Sequence, residues 1–279
     1  MSVLQYENRV IVFVDFLGFK ELIDQTAKNP ALISHILSAM DHLREASDDS
    51  DFFKSQQVTQ FSDCMVISYA AKESSAVFNL IHNLGFALVD IAHRGFLLRG
   101  AITVGSLLHT KDHVIGPAMV RAYELESKFA KYPRIILDPA VLAAARQNPA
   151  THHSSDEEAS HVSAFLKKDG DDQEYIEYIS FDVAVGTIGV EIDSYPEYLD
   201  SIGVLLRKGL AHSSPGVLEK YLWLYKRYIE QIDLCSKIPA NAAERRNNPE
   251  FFENIEALPR LEKLAMNAQS IVDLHVPEK

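Results

Sequence analysis

Val10-Ile11-Val12-Phe13-Val14-Asp15-Phe16-Leu17-Gly18-Phe19 decides the fold. Its first five residues form an unbroken β-branched and aromatic run, the pattern of a strand buried on both faces. The run ends on a carboxylate, and a glycine follows three residues later. A carboxylate at the tip of a central strand is costly to bury unless it meets a cation or hydrogen-bond donors. Gly18 permits a tight turn, so that the amides after Asp15 could face an anionic ligand. Two readings of Asp15 stand side by side: a ligand for a metal-bound phosphate, and a cap for the next helix.

Working outward, Val58-Thr59-Gln60-Phe61-Ser62-Asp63-Cys64-Met65-Val66-Ile67-Ser68 places Ser62-Asp63 between two apolar runs. That spacing predicts a hairpin with Asp63 at its tip. Two strand-end carboxylates suit one or two hard cations, because Mg²⁺ takes a couple of carboxylates plus phosphate oxygens. A single Asp at such a tip is also an ordinary turn former. Residues 96–105 read as a further strand carrying Arg99, with Gly100 inviting close approach to its backbone.

Around these strands, residues 20–27 read as a short helix. Asn29-Pro30 opens a second, whose apolar face is Ile33, Ile36, Leu37, Met40 and Leu43. A polar turn at 48–51 precedes the hairpin, and a helix from Ser74-Ser75 to Gly95 follows it. His109, Lys111, Asp112 and His113 fall in a loop. Gly116-Pro117 starts a helix through Ala130, and 134–138 and 175–185 read as strands. Residues 147–172 are polar, with 152–158 expected as an exposed loop. Helices are expected at 198–212, 217–237 and 250–272. The second of these carries Tyr221, Trp223, Tyr225 and Tyr228, a stripe that suits a core or a subunit interface. The order predicts an α+β fold with a mostly antiparallel sheet covered by helices on one face. The domain expected is 1–185, followed by a mostly helical region at 186–279.

Composition bounds the function. A chain of 279 residues with net charge −12 and no Lys/Arg-rich block is a poor partner for a nucleic acid polymer. Cys64 and Cys235 form neither a metal cluster nor a disulfide framework. With no signal peptide and no run long enough to span a bilayer, the expectation is a cytoplasmic protein without a membrane partner.

Four stretches in order carry a resemblance: 14–19 (Val-Asp-Phe-Leu-Gly-Phe), 61–63 (Phe-Ser-Asp), 99–105 (Arg-Gly-Ala-Ile-Thr-Val-Gly) and 116–126 (Gly-Pro-Ala-Met-Val-Arg-Ala-Tyr-Glu-Leu-Glu). Together they resemble a class III nucleotidyl cyclase over roughly the first half of the chain, closest to the pyrimidine cyclases of bacterial Pycsar antiphage defence. The resemblance implies a palm-like antiparallel sheet and a homodimer with composite sites. It implies two divalent cations, Mn²⁺ or Mg²⁺, on Asp15, Asp63 and the Phe16 carbonyl, and a triphosphate on the amides of Phe16, Leu17, Gly18 and Phe19. It further implies a cyclic nucleotide product read by a separate effector. The sequence departs from adenylate cyclases where they read adenine: Thr59 stands in place of a Lys. Their transition-state Asn and Arg fall here at Val120 and Glu124. Arg99 and Arg121 are the candidate replacements, each offering a planar donor fork to phosphate or base; Thr59 is the candidate contact to a pyrimidine edge. The resemblance implies UTP or CTP as substrate, with UTP slightly favoured over CTP. A purine cyclase with altered base contacts and a catalytically silent nucleotide-binding or dimerisation module are the rival readings.

Overall fold

The computed structural model describes residues 5–48 and 53–275; the polar turn expected at 48–51 lies outside them except for Asp48. They form two compact units. One runs up to Ile91 and resumes at Phe96–Glu177, and the other comprises Ala92–Gly95 and the chain from Tyr178 onward.

The first unit contains β1 (Glu7–Phe16), α1 (Phe19–Thr26), α2 (Ala31–Ala46), β2 (Gln57–Phe61), β3 (Cys64–Ala70), α3 (Ala76–His93, its last two residues counted with the second unit), β4 (Leu98–His109), β5 (Val114–Ile115), α4 (Pro117–Lys128), β6 (Ile135–Leu137), α5 (Ala140–Gln147), α6 (Ser155–Ser163), β7 (Leu166–Lys168) and β8 (Glu174–Ile176). The strands lie in the order β2-β3-β1-β4-β6-β8-β7, with β5 on β4. The β4–β6 pair is parallel and the rest are antiparallel. The fold class is α+β, as expected.

β1 is the central strand, and each residue from Val10 to Val14 is buried. Its register puts Asp15 opposite Cys64 on β3 and opposite Arg99 on β4. Because side chains alternate across a strand, Asp15, Phe13 and Ile11 share one face with Cys64, Val66 and Ser68, and with Arg99 and Ala101. α4 covers that face, packing Ala118 and Ala122 on Ile11, Phe13, Val66 and Leu107. Val10, Val12 and Val14 on the opposite face are just as deeply buried. The expectation of cover on one face only is therefore corrected: a strand apolar at every position needs partners on both sides.

The glycine of β4 explains how close its neighbour lies. A Cβ built on Gly100 would sit 2.5 Å from the Phe13 carbonyl oxygen. What approaches this backbone is β1 itself. Gly100→Ala forces β1 and β4 apart beside Asp15, and we expect it to cost about 2–3 kcal/mol, read as a lowered midpoint in urea unfolding.

Several local expectations shift. Ile33 and Leu37 of α2 are exposed, whereas Ile36, Ala39 and Leu43 are buried, so the helix is rotated from its most apolar face. The segment expected as a loop at 152–158 contains the start of α6, where Ser154 and Glu157 form a reciprocal capping box. The strand expected over 175–185 stops at Ile176 and gives way to a helical turn at Phe181. α3 is long and apolar enough to cross a membrane by length and composition, but 56% of its apolar window is buried inside the protein.

The second unit is helical: α7 (Phe181–Val183), α8 (Tyr195–Gly209), α9 (Pro215–Lys237), α10 (Ala243–Asn247), α11 (Pro249–Glu256) and α12 (Glu262–Asp273). The aromatic stripe of α9 is core, with Trp223 and Tyr228 buried. Tyr228 donates to the Pro259 carbonyl at 2.9 Å. The single helix expected at 250–272 is two, separated by Pro259 and by Leu261 at φ 55°, a break that proline enforces.

Candidate functional site

The site is built where β1, the β2–β3 hairpin and β4 end together. The Phe16 amide donates to the Asp63 carbonyl at 3.3 Å, so the hairpin tip lies against the end of β1. Gly18 follows at φ 76°, in the left-handed region, and α1 starts immediately after it. The amides of Phe16 and Leu17, expected to hold phosphate, are already spent on the Asp63 and Leu97 carbonyls. Strand pairing claims them first. Those of Gly18, Phe19 and Lys20 donate to nothing among the described residues. They remain free because the first amides of a helix have no carbonyl behind them.

Arg99 reaches along the face from β4. Its Nη2 donates to Asp15 Oδ2 at 3.0 Å, and its Nε lies 3.4 Å from Oδ1. The same Nη2 pairs with Glu126 from α4, which is 3% exposed. Burial opposes the charge on Arg99, but the two carboxylates outweigh it and hold the guanidinium above its ordinary pKa. The neighbouring Cys64 thiol is pushed up to about 12, first by burial and then by Asp63, Asp15 and Glu126. Cys64 is thus a protonated spectator.

Asp15, Asp63 and Arg99 are therefore brought together. Arg121 is not: it is exposed and pairs with Asp138 at 2.9 Å. Ala118, Ala122 and Glu126 hold the sheet-facing row of α4, and position 121 lies off that row. Val120 is exposed as well, and Glu124 is half-buried and pairs with Lys128 at 3.2 Å. Glu126 is the residue that the sequence reading missed. Its signal was spacing, since 118, 122 and 126 recur every four residues and put a carboxylate in an apolar stripe.

Thr59 sits in a different part of the same face, with its hydroxyl 3.0 Å from His109 Nε2. His109 belongs to the end of β4, not to a loop, and is buried. Burial, then the charge of Arg9, lowers its pKa to about 4. Because the unfolded ring titrates near 6.5, the unfolded chain binds more protons between pH 6.5 and 4. The stability from a neutral His109 is fully present above pH 6.5 and is lost as pH falls toward 4, about 3 kcal/mol in all. We expect His109→Gln to flatten the pH dependence of unfolding free energy across that window, measured against the wild type in urea.

By donor type the corner fits a hard divalent cation. It offers two carboxylates on adjoining strand ends and main-chain oxygen, the donor types such a cation takes alongside phosphate oxygens. No group of three or more His, Cys, Asp or Glu converges as a ready-made metal cage among the described residues. Arg99 already neutralises Asp15, so a cation must displace it.

No protein-family model matches the chain, and no curated protein matches it. Solved structures similar to it include the adenylyl cyclase CyaB from P. aeruginosa, at TM-score 0.39 and 12% identity over 51% of this chain and 82% of that one. The monomeric guanylyl cyclase domain of the RhoGC fusion protein from Blastocladiella emersonii gives 0.41 and 14%, over 62% and 95%. A bacterial light-regulated adenylyl cyclase gives 0.42 and 12%, over 66% and 97%. At these scores the likenesses carry no argument, and the functional reading rests on the residues themselves.

Proposed function

We propose that the chain is a nucleotidyl cyclase that converts UTP, or CTP, to its 3′,5′-cyclic monophosphate and pyrophosphate. The observation that carries this is the strand-end corner: Asp15 and Glu126 paired with Arg99, Asp63 at the adjoining hairpin tip, and the unspent amides of Gly18, Phe19 and Lys20 beside them.

In this reading Asp15 and Asp63, with the Phe16 carbonyl, hold two Mn²⁺ or Mg²⁺ ions. When bound, these lower the pKa of the ribose 3′-hydroxyl and offset the charge of the triphosphate. The free amides at the start of α1 hold the phosphates in line for attack by that hydroxyl on the α-phosphorus. Glu126 keeps Arg99 at the corner once Asp15 is claimed. The guanidinium fork then faces the charge that develops on the departing pyrophosphate. A homodimer with composite sites belongs to the same reading. The cyclic product serves as a second messenger for a separate effector in antiphage defence.

One observation favours the silent module instead: Asp15 is closed by its own arginine. Incubating purified protein with ATP, GTP, CTP or UTP and Mn²⁺, then identifying products by mass, decides between them. A cyclic pyrimidine nucleotide is expected. A cyclic purine overturns the substrate, and no product from any of the four overturns the reaction.

A further inference from the structure

The second unit holds a cavity of about 520 Å³, bounded by α9, α11 and the stretch from Phe181 to Tyr195. Space of that size is far larger than a packing void and falls in the range of small-molecule sites. Its floor is aromatic. Phe181 meets Tyr195 edge-on at 5.2 Å and Phe251 at 5.6 Å between ring centroids, and Phe252 continues the surface on α11. Ile192 and Leu234 stand exposed at the rim. Gln231 of α9 breaks the apolar lining. It is 4% exposed, and its Oε1 accepts from the Phe181 amide at 3.1 Å. That bond decides which end of the side-chain amide is which, and leaves the Nε2 hydrogens over. Nε2 has no partner among the described residues, yet it is not one of the side-chain atoms sealed from solvent. It therefore opens on the cavity that Gln231 lines. A void left by imperfect packing would be lined by apolar atoms and would strand no amide. Tyr195 does not compete for a ligand, because its hydroxyl donates to the Ile179 carbonyl at 2.7 Å. Asp182 and Glu244 are the charged groups of the lining. Both are exposed at the mouth, and neither carboxylate is paired among the described residues. Arg245, next to Glu244 in the chain, is committed elsewhere: it stacks on Phe252 at 4.6 Å and pairs with Glu256.

We propose that this cavity is a binding site for a small amphipathic amine. An apolar, ring-bearing body fills the aromatic floor, an oxygen acceptor takes the Gln231 Nε2 hydrogens, and an ammonium stands at the mouth with Asp182 and Glu244. Each part of the ligand answers one observation. The rings and the aliphatic rim favour a flat apolar body. A buried donor without a partner gains a hydrogen bond from a ligand that carries an acceptor and is stranded by one that does not. Two unpaired carboxylates attract a cation and repel an anion. The cavity lies wholly within the helical unit and shares no residue with the Asp15 corner. The inference is therefore independent of the cyclase reading.

The probe is para-benzoylphenethylamine, which carries two rings, a ketone oxygen and an ammonium. Calorimetric titration of the full chain should give a dissociation constant below about 1 mM. Para-benzylphenethylamine, which lacks the ketone oxygen, should bind about tenfold more weakly. Para-benzoylphenylpropionic acid, with a carboxylate in place of the ammonium, should also bind about tenfold more weakly. Asp182→Asn combined with Glu244→Gln changes two exposed side chains and should narrow the preference for amine over acid to about threefold or less. Cys235 reports the location. It lines the cavity, and burial holds its thiol above the ordinary pKa. The amine at ten times its dissociation constant should slow alkylation of Cys235 by N-ethylmaleimide about tenfold and leave Cys64 unaffected, the two being resolved by peptide mass. No binding of the amine, equal binding of the analogue without oxygen or of the acid, an undiminished preference in the double variant, or binding that leaves Cys235 unprotected each overturns the proposal.

Discussion

Asp63→Ala is expected to lower cyclic nucleotide formation by about a thousandfold or more while leaving the fold in place. The reason is positional. The Asp63 side chain is half-exposed at the tip of the β2–β3 turn, and its contribution to the strand ends is its backbone carbonyl, which accepts from Phe16 and survives the substitution. Removing the Asp63 side chain takes away one of the two carboxylates for a cation and nothing from the core. Thermal unfolding should therefore stay within about 2 °C of the wild type, as for an ordinary surface change. Mn²⁺ binding, followed by electron paramagnetic resonance, should weaken in parallel with activity. Full activity in the variant would sink the paired-carboxylate reading.

Arg99→Leu should behave oppositely, with a large loss of stability as well as of rate. The guanidinium is the counter-charge for two carboxylates, Asp15 and the almost completely buried Glu126. Removing one partner of such a group leaves uncompensated charge in a low-dielectric site and costs about 3 kcal/mol or more. For a protein of this size that is a fall in Tm of roughly 6–12 °C. Adding Glu126→Leu removes the stranded carboxylate and should recover much of the loss, because an apolar pair fills the same space. Mn²⁺ should raise the Tm of Arg99→Leu more than that of the wild type, since the cation then meets Asp15 without competition from arginine. Equal shifts in the two proteins would mean that Arg99 does not guard the carboxylate.

These two expectations show which parts of the site local sequence could reveal. Asp15 and Asp63 were legible because each ends an apolar run, and a carboxylate there demands an explanation by itself. Arg99 was legible as a charge inside a strand. Its partners were not, because an ion pair between β4 and α4 depends on how the helix is turned over the sheet. The same turn carried Arg121 to Asp138 and away from the corner. In the second unit, helical periodicity marked α8 and α9, but the pattern ran through Pro259, where backbone chemistry divides the last helix.

By itself the sequence determined the central strand, the hairpin, the α+β order, the helical tail and the two candidate carboxylates. Those features follow from period, turn chemistry and the cost of burying charge, all of which act within a few residues. Only the tertiary structure decided that Asp15 is held by Arg99, that Glu126 stands behind it, and that the Thr59 hydroxyl meets His109. These groups lie more than 100 residues apart in the chain at the extremes. Strand register and the packing of one helix bring them within hydrogen-bonding distance, and no local pattern records that distance.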